Sequence, residues 1–200
     1  MMPLPQDERK MLCEQLLRYL ESHPDNRENA ERLLHFVLNT PDCFCREHRA
    51  GHITGSAWLL NPAGDKALLT LHHKLQIWVQ PGGHADGDSD VLRVACREAA
   101  EESGICKLRV LNAEIYDVDI HTIPARPATG EPQHLHYDVR YLLQAEDENY
   151  SVSDESDALG WFTAEEIKHL TPPADHATLR LAALWPADIN NSTIRDAKHA

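Results

Sequence analysis

The sequence predicts an α/β fold in which a mixed β-sheet is sandwiched between helices and follows an N-terminal helical extension. Apolar residues recur at helical spacing through residues 8–22, whereas short apolar runs of strand length begin at Ile53. A helical segment that carries Glu98 separates the early strand patterns from the later ones, and a last helical pattern follows them. This order fits a sheet that is covered by helices.

The N-terminal extension is predicted to contain two amphipathic helices. Residues 8–22 place their leucines on one side of the first helix. Pro24 ends this helix, and Asp25 or Asn26 can cap the second one. We therefore assign residues 1–48 to the extension and expect it to pack against the main domain. No specific residue supports a dimer contact or a substrate lid.

The main domain is assigned to residues 49–187, and residues 188–200 form a polar C-terminal tail. Three prolines and a glycine make residues 121–133 a predicted loop. Thr163 is placed to cap a short helix that ends at residue 170. The predicted strands are 56–60, 67–73, 77–79, 108–118 and 134–145, and the closing helix is 177–185.

The composition is that of a soluble globular protein, with 42% hydrophobic and 26% charged residues among 200. No apolar run approaches the roughly 20 residues of a transmembrane helix, and the N-terminus lacks the features of a secretory signal. Five cysteines, an odd number, then indicate a reducing compartment, so we expect a cytoplasmic protein. A net charge of −13 argues against long nucleic acids but allows a small phosphorylated substrate whose charge a metal offsets.

Residues 83–105 carry the most specific functional signal. A glycine turn leads into a helix on which Glu98 lies three and four residues before Glu101 and Glu102, so the carboxylates share one face. Carboxylates about 4 Å apart repel by roughly 1 kcal/mol in water and by about 4 kcal/mol at a partly shielded site. A divalent cation such as Mg²⁺ removes this repulsion and also binds phosphates. The pattern therefore predicts a metal-assisted phosphate site.

A solvated acidic face is the usual explanation for a glutamate-rich helix. Here, however, the carboxylates cluster on one face, and Arg97 lies four residues before Glu101, where it can pair with that side chain. Ser89 or Asp88 can cap the start of the helix, and Gly104 can end it. These features favour the functional interpretation.

This segment resembles the Nudix box, a family pattern of glycine, arginine and glutamates at fixed spacing. One position departs, because Ser89 stands where the pattern has its first glutamate. The resemblance covers about residues 50–187 and implies a Nudix-like mixed sheet sandwiched between helices. The matching residues are Gly83, Arg97, Glu98, Glu101, Glu102, Gly104 and Ile105, with Ala99 in the small aliphatic position.

The resemblance implies a metal-dependent hydrolase that cleaves a pyrophosphate bond in a nucleoside diphosphate linked to another group, or in a related phosphorylated small molecule. It implies that Mg²⁺ or Mn²⁺ is held by the Gly83 carbonyl and by Glu98, Glu101 and Glu102. The catalytic residues that it implies are these three glutamates and Arg97. Arg97 would orient its neighbours. The expected partner is a small phosphorylated substrate such as a nucleotide, without a membrane or a long nucleic acid, and a homodimer is compatible with the sequence.

The general base is left open between Glu98 and residues outside the box. Residues 134–138 place two histidines and an aspartate on one face of a strand, and histidine titrates near neutral pH. An ordinary, partly solvated strand face explains the same pattern. The candidates outside the box are His121, His134, His136, Asp138 and Glu155.

Two other functions stay open. A Nudix fold that binds a nucleotide without hydrolysing it would be a sensor. The intact glutamates argue against this alternative, whereas the departure at Ser89 is compatible with it. Isopentenyl diphosphate isomerase activity shares the fold but needs a catalytic cysteine, and no isomerase-like motif surrounds Cys43, Cys45 or Cys96.

Three further sets of residues have ordinary structural explanations. The polar side chains of the glycine turn are explained by ordinary turn composition, without a second cation or a ribose contact. The paired cysteines lack the second ligand pair of a zinc site and are interpreted as buried thiols. The aromatic residues are available to stack on a base but are also common in cores. These sets are His84, Asp86 and Asp88; Cys43 and Cys45 with His48; and Tyr116, Tyr137, Tyr141 and Trp58.

Overall fold

A computed structural model describes residues 4–73, 76–127, 130–152 and 156–186. Within these residues, five α-helices, a short 3₁₀ turn at Pro24–Asn26 and the eight strands of one sheet are formed. The helices are α1 (Lys10–Ser22), α2 (Arg27–Asn39), α3 (Val91–Ser103), α4 (Ala164–Leu170) and α5 (His176–Ala183). The strands are β1 (Gly51–Leu60), β2 (Ala67–His72), β3 (Trp78–Val79), β4 (Gly82–His84), β5 (Leu108–Val110), β6 (Asp117–Ile123), β7 (His134–Ala145) and β8 (Ser156–Phe162).

The centre of the sheet is the parallel pair β1 and β7, whose register runs from Gly51 opposite Leu135 to Leu60 opposite Gln144. The other strand pairings are antiparallel: β2 and β4 add to β1, β5 and β6 add to β7, and β3 and β8 add to β2. The sheet is therefore mixed, as predicted.

The two faces of the sheet are covered by different helices because successive side chains of a strand point to opposite faces. Ile53 of β1 belongs to the apolar cluster that α1, α2 and α3 cover. Trp58 of the same strand packs instead with Ile167 of α4 and Leu181 of α5. The predicted sandwich is thereby confirmed, and α1 and α2 share their core with the sheet.

Several predicted boundaries were wrong. The segment 108–118, predicted as an extended strand or hairpin arm, holds only β5 and the start of β6. Strand β6 continues to Ile123 inside the predicted loop because it pairs with β7 up to His134. Strand β8 was missed, since Asp157 and Gly160 are poor strand formers, yet it pairs along β2. The Thr163 cap is confirmed, with a capping box that Glu166 completes. The predicted tail, 188–200, lies outside the described residues.

None of the helices in the described part of the chain combines the length and the apolar character needed to cross a membrane.

Candidate active site at the glycine turn and helix α3

The candidate site is formed where β4 leads into α3. The side chain of Asp90 caps the helix by accepting a hydrogen bond from the backbone N–H of Arg93 at 3.1 Å. We expected Ser89 or Asp88 in this role, but the Asp88 carboxylate binds the Arg93 guanidinium instead, at 2.5 Å. Gly104 ends the helix in a left-handed conformation, φ 72°, as predicted.

Two neighbouring glycines let α3 approach the sheet closely. Gly55 of β1 lies opposite Gly83 of β4. A Cβ atom on Gly55 would lie 2.9 Å from the carbonyl oxygen of Val91 and 2.9 Å from a methyl group of Val94. A Cβ atom on Gly83 would overlap the carboxylate of Glu98. The lack of a side chain at Gly83 therefore places Glu98 directly against the backbone of the turn.

Arg97 and Glu102 fix the arrangement of this turn. The Arg97 guanidinium donates to Glu98 Oε1 at 2.7 Å and to the carbonyl oxygen of His84 at 2.9 Å. Its hydrogen bond to Glu98 raises the pKa of Arg97. Glu102 Oε1 accepts a hydrogen bond of 3.0 Å from the backbone N–H of Gly82. Two carboxylates of the predicted trio thus meet the glycine turn.

The third carboxylate, Glu101, is exposed. We expected Arg97 to pair with it, but the hydrogen bonds of Arg97 go to Glu98 and His84, and Glu101 acts on Arg97 through longer-range charge. In the part of the chain that the structure describes, the carboxylate oxygens of the three glutamates do not all lie within 4.8 Å of one another, so they are not yet grouped around one point.

We expect Gly83→Ala to lower turnover roughly tenfold, because displaced catalytic groups lose much of their effect. The new methyl group would push the Glu98 carboxylate off the turn. The overlap is with the end of a flexible side chain, so the melting temperature should change little. Steady-state kinetics and thermal melting measure both effects. In a Glu98→Gln background the glycine substitution should add little, whereas fully multiplying losses would contradict this coupling.

The candidates for a general base outside the turn have different environments. Asp138 is buried and accepts hydrogen bonds from Thr54 at 2.9 Å, Ser56 at 2.7 Å and Arg140 at 2.7 Å, so its oxygens are committed to structure. Burial lowers the pKa of His136 to about 2, which makes it a weak base.

The remaining base candidates differ in exposure. His121 is exposed and lies 3.2 Å from Asp119, which leaves it accessible to solvent. His134 is buried, and its Nδ1 lies 2.9 Å from the carbonyl oxygen of Pro132. Glu155 lies outside the described residues.

The sequence analysis missed a cluster of histidine rings from three strands. His52, His84 and His136 have ring centroids 4.9–5.1 Å apart, and His134 lies 5.0 Å from His52. The sequence places His134 and His136 on one face of a strand but gives no sign that β1 brings His52 beside them. That contact depends on the register of the parallel pair.

The aromatic side chains considered for base stacking have other contacts. Trp58 and Tyr141 are fully buried in the core. Tyr137 stacks on Phe36 of α2 at 3.8 Å, and the Tyr116 hydroxyl donates to a backbone carbonyl after α5 at 2.7 Å. These residues therefore act in packing.

The polar turn and the cysteines have structural roles. Asp86 binds Arg46 at 2.5 Å, as Asp88 binds Arg93, so both carboxylates of the turn pair with arginines. Burial raises the pKa of Cys43 to about 12, consistent with an inert buried thiol. The prediction of buried thiols is confirmed at Cys43, whereas Cys45 is only partly buried.

The fold and the turn define the class of protein. The family profile described as NUDIX domain matches residues 52–182. The chain belongs to the NUDIX family and is a Nudix-type hydrolase.

Relatives of the chain agree with this assignment. It is 29% identical over 129 residues to a probable DHNTP pyrophosphohydrolase of Lactococcus lactis, a match that covers 64% of this chain and 76% of that protein. It is 28% identical over 134 residues to the m7GpppN-mRNA hydrolase NUDT17 of Xenopus laevis, covering 60% of this chain and 45% of that protein. The crystal structure of a C. elegans Ap4A hydrolase binary complex matches 66% of this chain and 91% of its own, with a TM-score of 0.50 and 20% identity, which supports the fold.

Proposed function

We propose that this chain is a divalent-metal-dependent pyrophosphohydrolase. Its substrate would be a nucleoside diphosphate linked to another group, or a related phosphorylated small molecule. The observation that carries the proposal is the contact of two box carboxylates with the glycine turn: Glu98 lies against Gly83, and Glu102 accepts the Gly82 N–H at 3.0 Å. This contact places acidic oxygens beside a backbone that a phosphate or a cation can approach closely.

The donor set fits Mg²⁺ or Mn²⁺. Hard cations prefer carboxylate and carbonyl oxygens, and Glu98, Glu101, Glu102 and the carbonyl of Gly83 supply that chemistry. When bound, such an ion neutralises charge on the diphosphate and lowers the pKa of a water molecule. The exposed Glu101 and the turn-bound Glu98 and Glu102 must then converge, which the rotatable glutamate side chains allow.

Arg97 is proposed as a positioning residue. Its two hydrogen bonds tie Glu98 on α3 to the carbonyl oxygen of His84 on β4, so the helix and the turn keep a fixed relation. Phosphoryl chemistry depends mainly on such positioning and on neutralised oxygen charges. Of the base candidates that the structure describes, Glu98 lies at the turn, whereas His121 lies beside His136 on the face of the sheet opposite α3.

The substrate class is supported by charge and by relatives. A net charge of −13 repels a long polyanion over most of the surface, whereas a compact anhydride needs only the local site. One relative is named as a pyrophosphohydrolase and another as an mRNA hydrolase, which agrees with phosphate chemistry. The cysteines, free in the described residues, agree with a reducing compartment such as the cytoplasm.

The test is a phosphate-release screen coupled to a phosphatase. The panel contains dinucleotides, nucleotide sugars, nucleoside triphosphates and damaged nucleotides, each with and without Mg²⁺ or Mn²⁺. We expect metal-dependent release from at least one class. Glu101→Gln protein purified in parallel is the control for contaminating hydrolases, and it should release at most about a hundredth as much.

Two outcomes would overturn the proposal. Tight binding of one compound without release from any would identify a sensor rather than a hydrolase. Equal release by the wild type and by Glu101→Gln would show that the activity does not come from the proposed site.

A further inference from the structure

The histidine cluster lies on the face of the sheet opposite α3. The parallel register sets His52 of β1 directly opposite His136 of β7, while His84 of β4 lies opposite Thr54, two residues along β1. Residues two apart on a strand share a face, so the three imidazoles converge. One ring nitrogen from each lies within 4.8 Å of the others.

These rings carry unsatisfied polar atoms. Both ring nitrogens of His52 and Nε2 of His136 are buried and have no partner with hydrogen-bond geometry among the described protein groups, although the His48 backbone interacts weakly with the His52 ring. Leaving a buried polar atom unpaired costs about 1–3 kcal/mol. Interior polar groups are usually satisfied, so three unpaired ring nitrogens in one cluster require an explanation.

Imidazole binds metals in its neutral form. Arg46, whose charge acts on His52 and His84, is itself paired with Asp86 at 2.5 Å.

We propose that His52, His84 and His136 form a second metal site that binds a borderline transition-metal dication such as Zn²⁺. Imidazole nitrogens suit Zn²⁺, Co²⁺ or Ni²⁺, whereas Mg²⁺ prefers the oxygens of the glutamates. Three histidines with an open fourth position are an established zinc ligand set. Zinc at about 2.1 Å from each nitrogen places the nitrogens about 3.4 Å apart, so small ring movements close the observed spread.

His134 supports the site from outside the ligand set. Its Nδ1 lies 2.9 Å from the carbonyl oxygen of Pro132, so Nδ1–H donates there, and its ring packs against His52 and His136 at 5.0 and 5.2 Å. Its Nε2 lies 3.8 Å from Glu131, whose negative charge favours a nearby cation. This packing limits how far the ligating rings can turn.

The two metal sites lie back to back across β4. Gly83 faces Glu98 on α3, while the next residue, His84, faces the histidine cluster. The His84 carbonyl oxygen accepts a hydrogen bond from Arg97, which also holds Glu98. The sites are close in the chain but have different ligand atoms, so substitutions can separate them.

The test is calorimetry with zinc on full-length protein that has been stripped by a chelator and then saturated with Mg²⁺. We expect one Zn²⁺ per chain in the wild type. His84→Gln and His136→Gln should each weaken zinc binding at least about a hundredfold, beyond the scale of losing an outer-shell partner. With Co²⁺ as the probe, the wild type should show the absorption of low-coordinate nitrogen ligation, and the variants should lose it.

Two controls keep the result specific. His169→Gln removes an exposed histidine on α4, and Glu101→Gln removes a box carboxylate; both should bind zinc like the wild type. His84 is only partly buried, so its variant should fold even if His136→Gln does not. The proposal fails if the wild type takes up no zinc under excess Mg²⁺, or if Glu101→Gln loses zinc while the histidine variants keep it. Both outcomes are independent of whether the protein hydrolyses any substrate.

Discussion

Glu101→Gln and Glu102→Gln are each expected to lower turnover at least about a hundredfold, the scale of losing one electrostatic catalytic group. Glutamine keeps the size of the side chain but removes the negative charge that attracts a divalent cation. Glu101 is exposed, and Glu102 is half-buried beside the backbone of Gly82. A glutamine side-chain oxygen at position 102 can still accept the hydrogen bond from the Gly82 N–H. Both variants should therefore fold, and steady-state kinetics in saturating Mg²⁺ measures the loss.

Glu165→Gln on α4 is the matched control, because its side chain is 74% exposed and belongs to no proposed site. It should leave turnover unchanged. A metal titration adds a second readout, since a lost ligand shifts the Mg²⁺ concentration needed for half-maximal activity upward. Activity close to that of the wild type in either box variant would reject the assignment of the metal ligands.

Asp117→Asn is expected to destabilise the fold by about 3–5 kcal/mol, the cost of leaving a buried charge without its partner. Asp117 has no exposed surface and accepts from Arg140 at 2.8 Å and from Arg180 at 2.8 and 2.9 Å. It also accepts from Asn26 at 3.1 Å and Tyr19 at 3.3 Å. One carboxylate on β6 thus joins α1, the 3₁₀ turn, β7 and α5.

Replacing this carboxylate by an amide would leave Arg140 short of negative charge. Burial works against the charged form of Arg140, but Asp138, Asp117 and Asp119 together hold its pKa above the ordinary value. For a chain of this size, each kcal/mol lowers the melting temperature by about 2–4 °C, so we expect a decrease of at least about 6 °C. Thermal and urea unfolding measure it.

Glu114→Gln provides the comparison, because the ion pair of Glu114 with Arg18 is about half exposed on both sides. Such surface pairs contribute at most about 1 kcal/mol. Glu114→Gln should therefore melt close to the wild type. If Asp117→Asn also melted at the temperature of the wild type, the network around Asp117 would not be a source of stability.

The elements that could be predicted are those whose signals are local. The α3 segment has a helical period, an acidic residue at its start and Gly104 at its end, and the Thr163 capping box lies within four residues. Strand β7 alternates in sequence from His134 to Tyr141, and the prediction of a strand at His134–Ala145 is confirmed. Strand β8 pairs with β2, which is distant in sequence, and the extension of β6 pairs with β7 across a segment whose prolines predicted a loop, so composition alone misplaced both.

The candidate site divides in the same way. Glu98, Glu101 and Glu102 lie on one helix, so their spacing is visible in the sequence. The resemblance to the Nudix box also predicted that they lie near the glycine turn. The hydrogen-bond partner of Arg97 could not be predicted from the sequence. Glu98 and Glu101 both lie within reach of Arg97 on a helix, and only packing against β4 selects Glu98. The histidine cluster needs the register of strands more than 80 positions apart, which no short-range pattern contains.

That long separation also affects how the protein is made. Strand β1 forms its main pairing with β7, and no segment between them replaces that contact in the described structure. Contacts of high sequence separation slow folding, because a long loop must close before they form. A ribosome-bound chain will therefore hold β1 unpaired along this edge until β7 has emerged, and this interval is when chaperone binding or aggregation competes with folding.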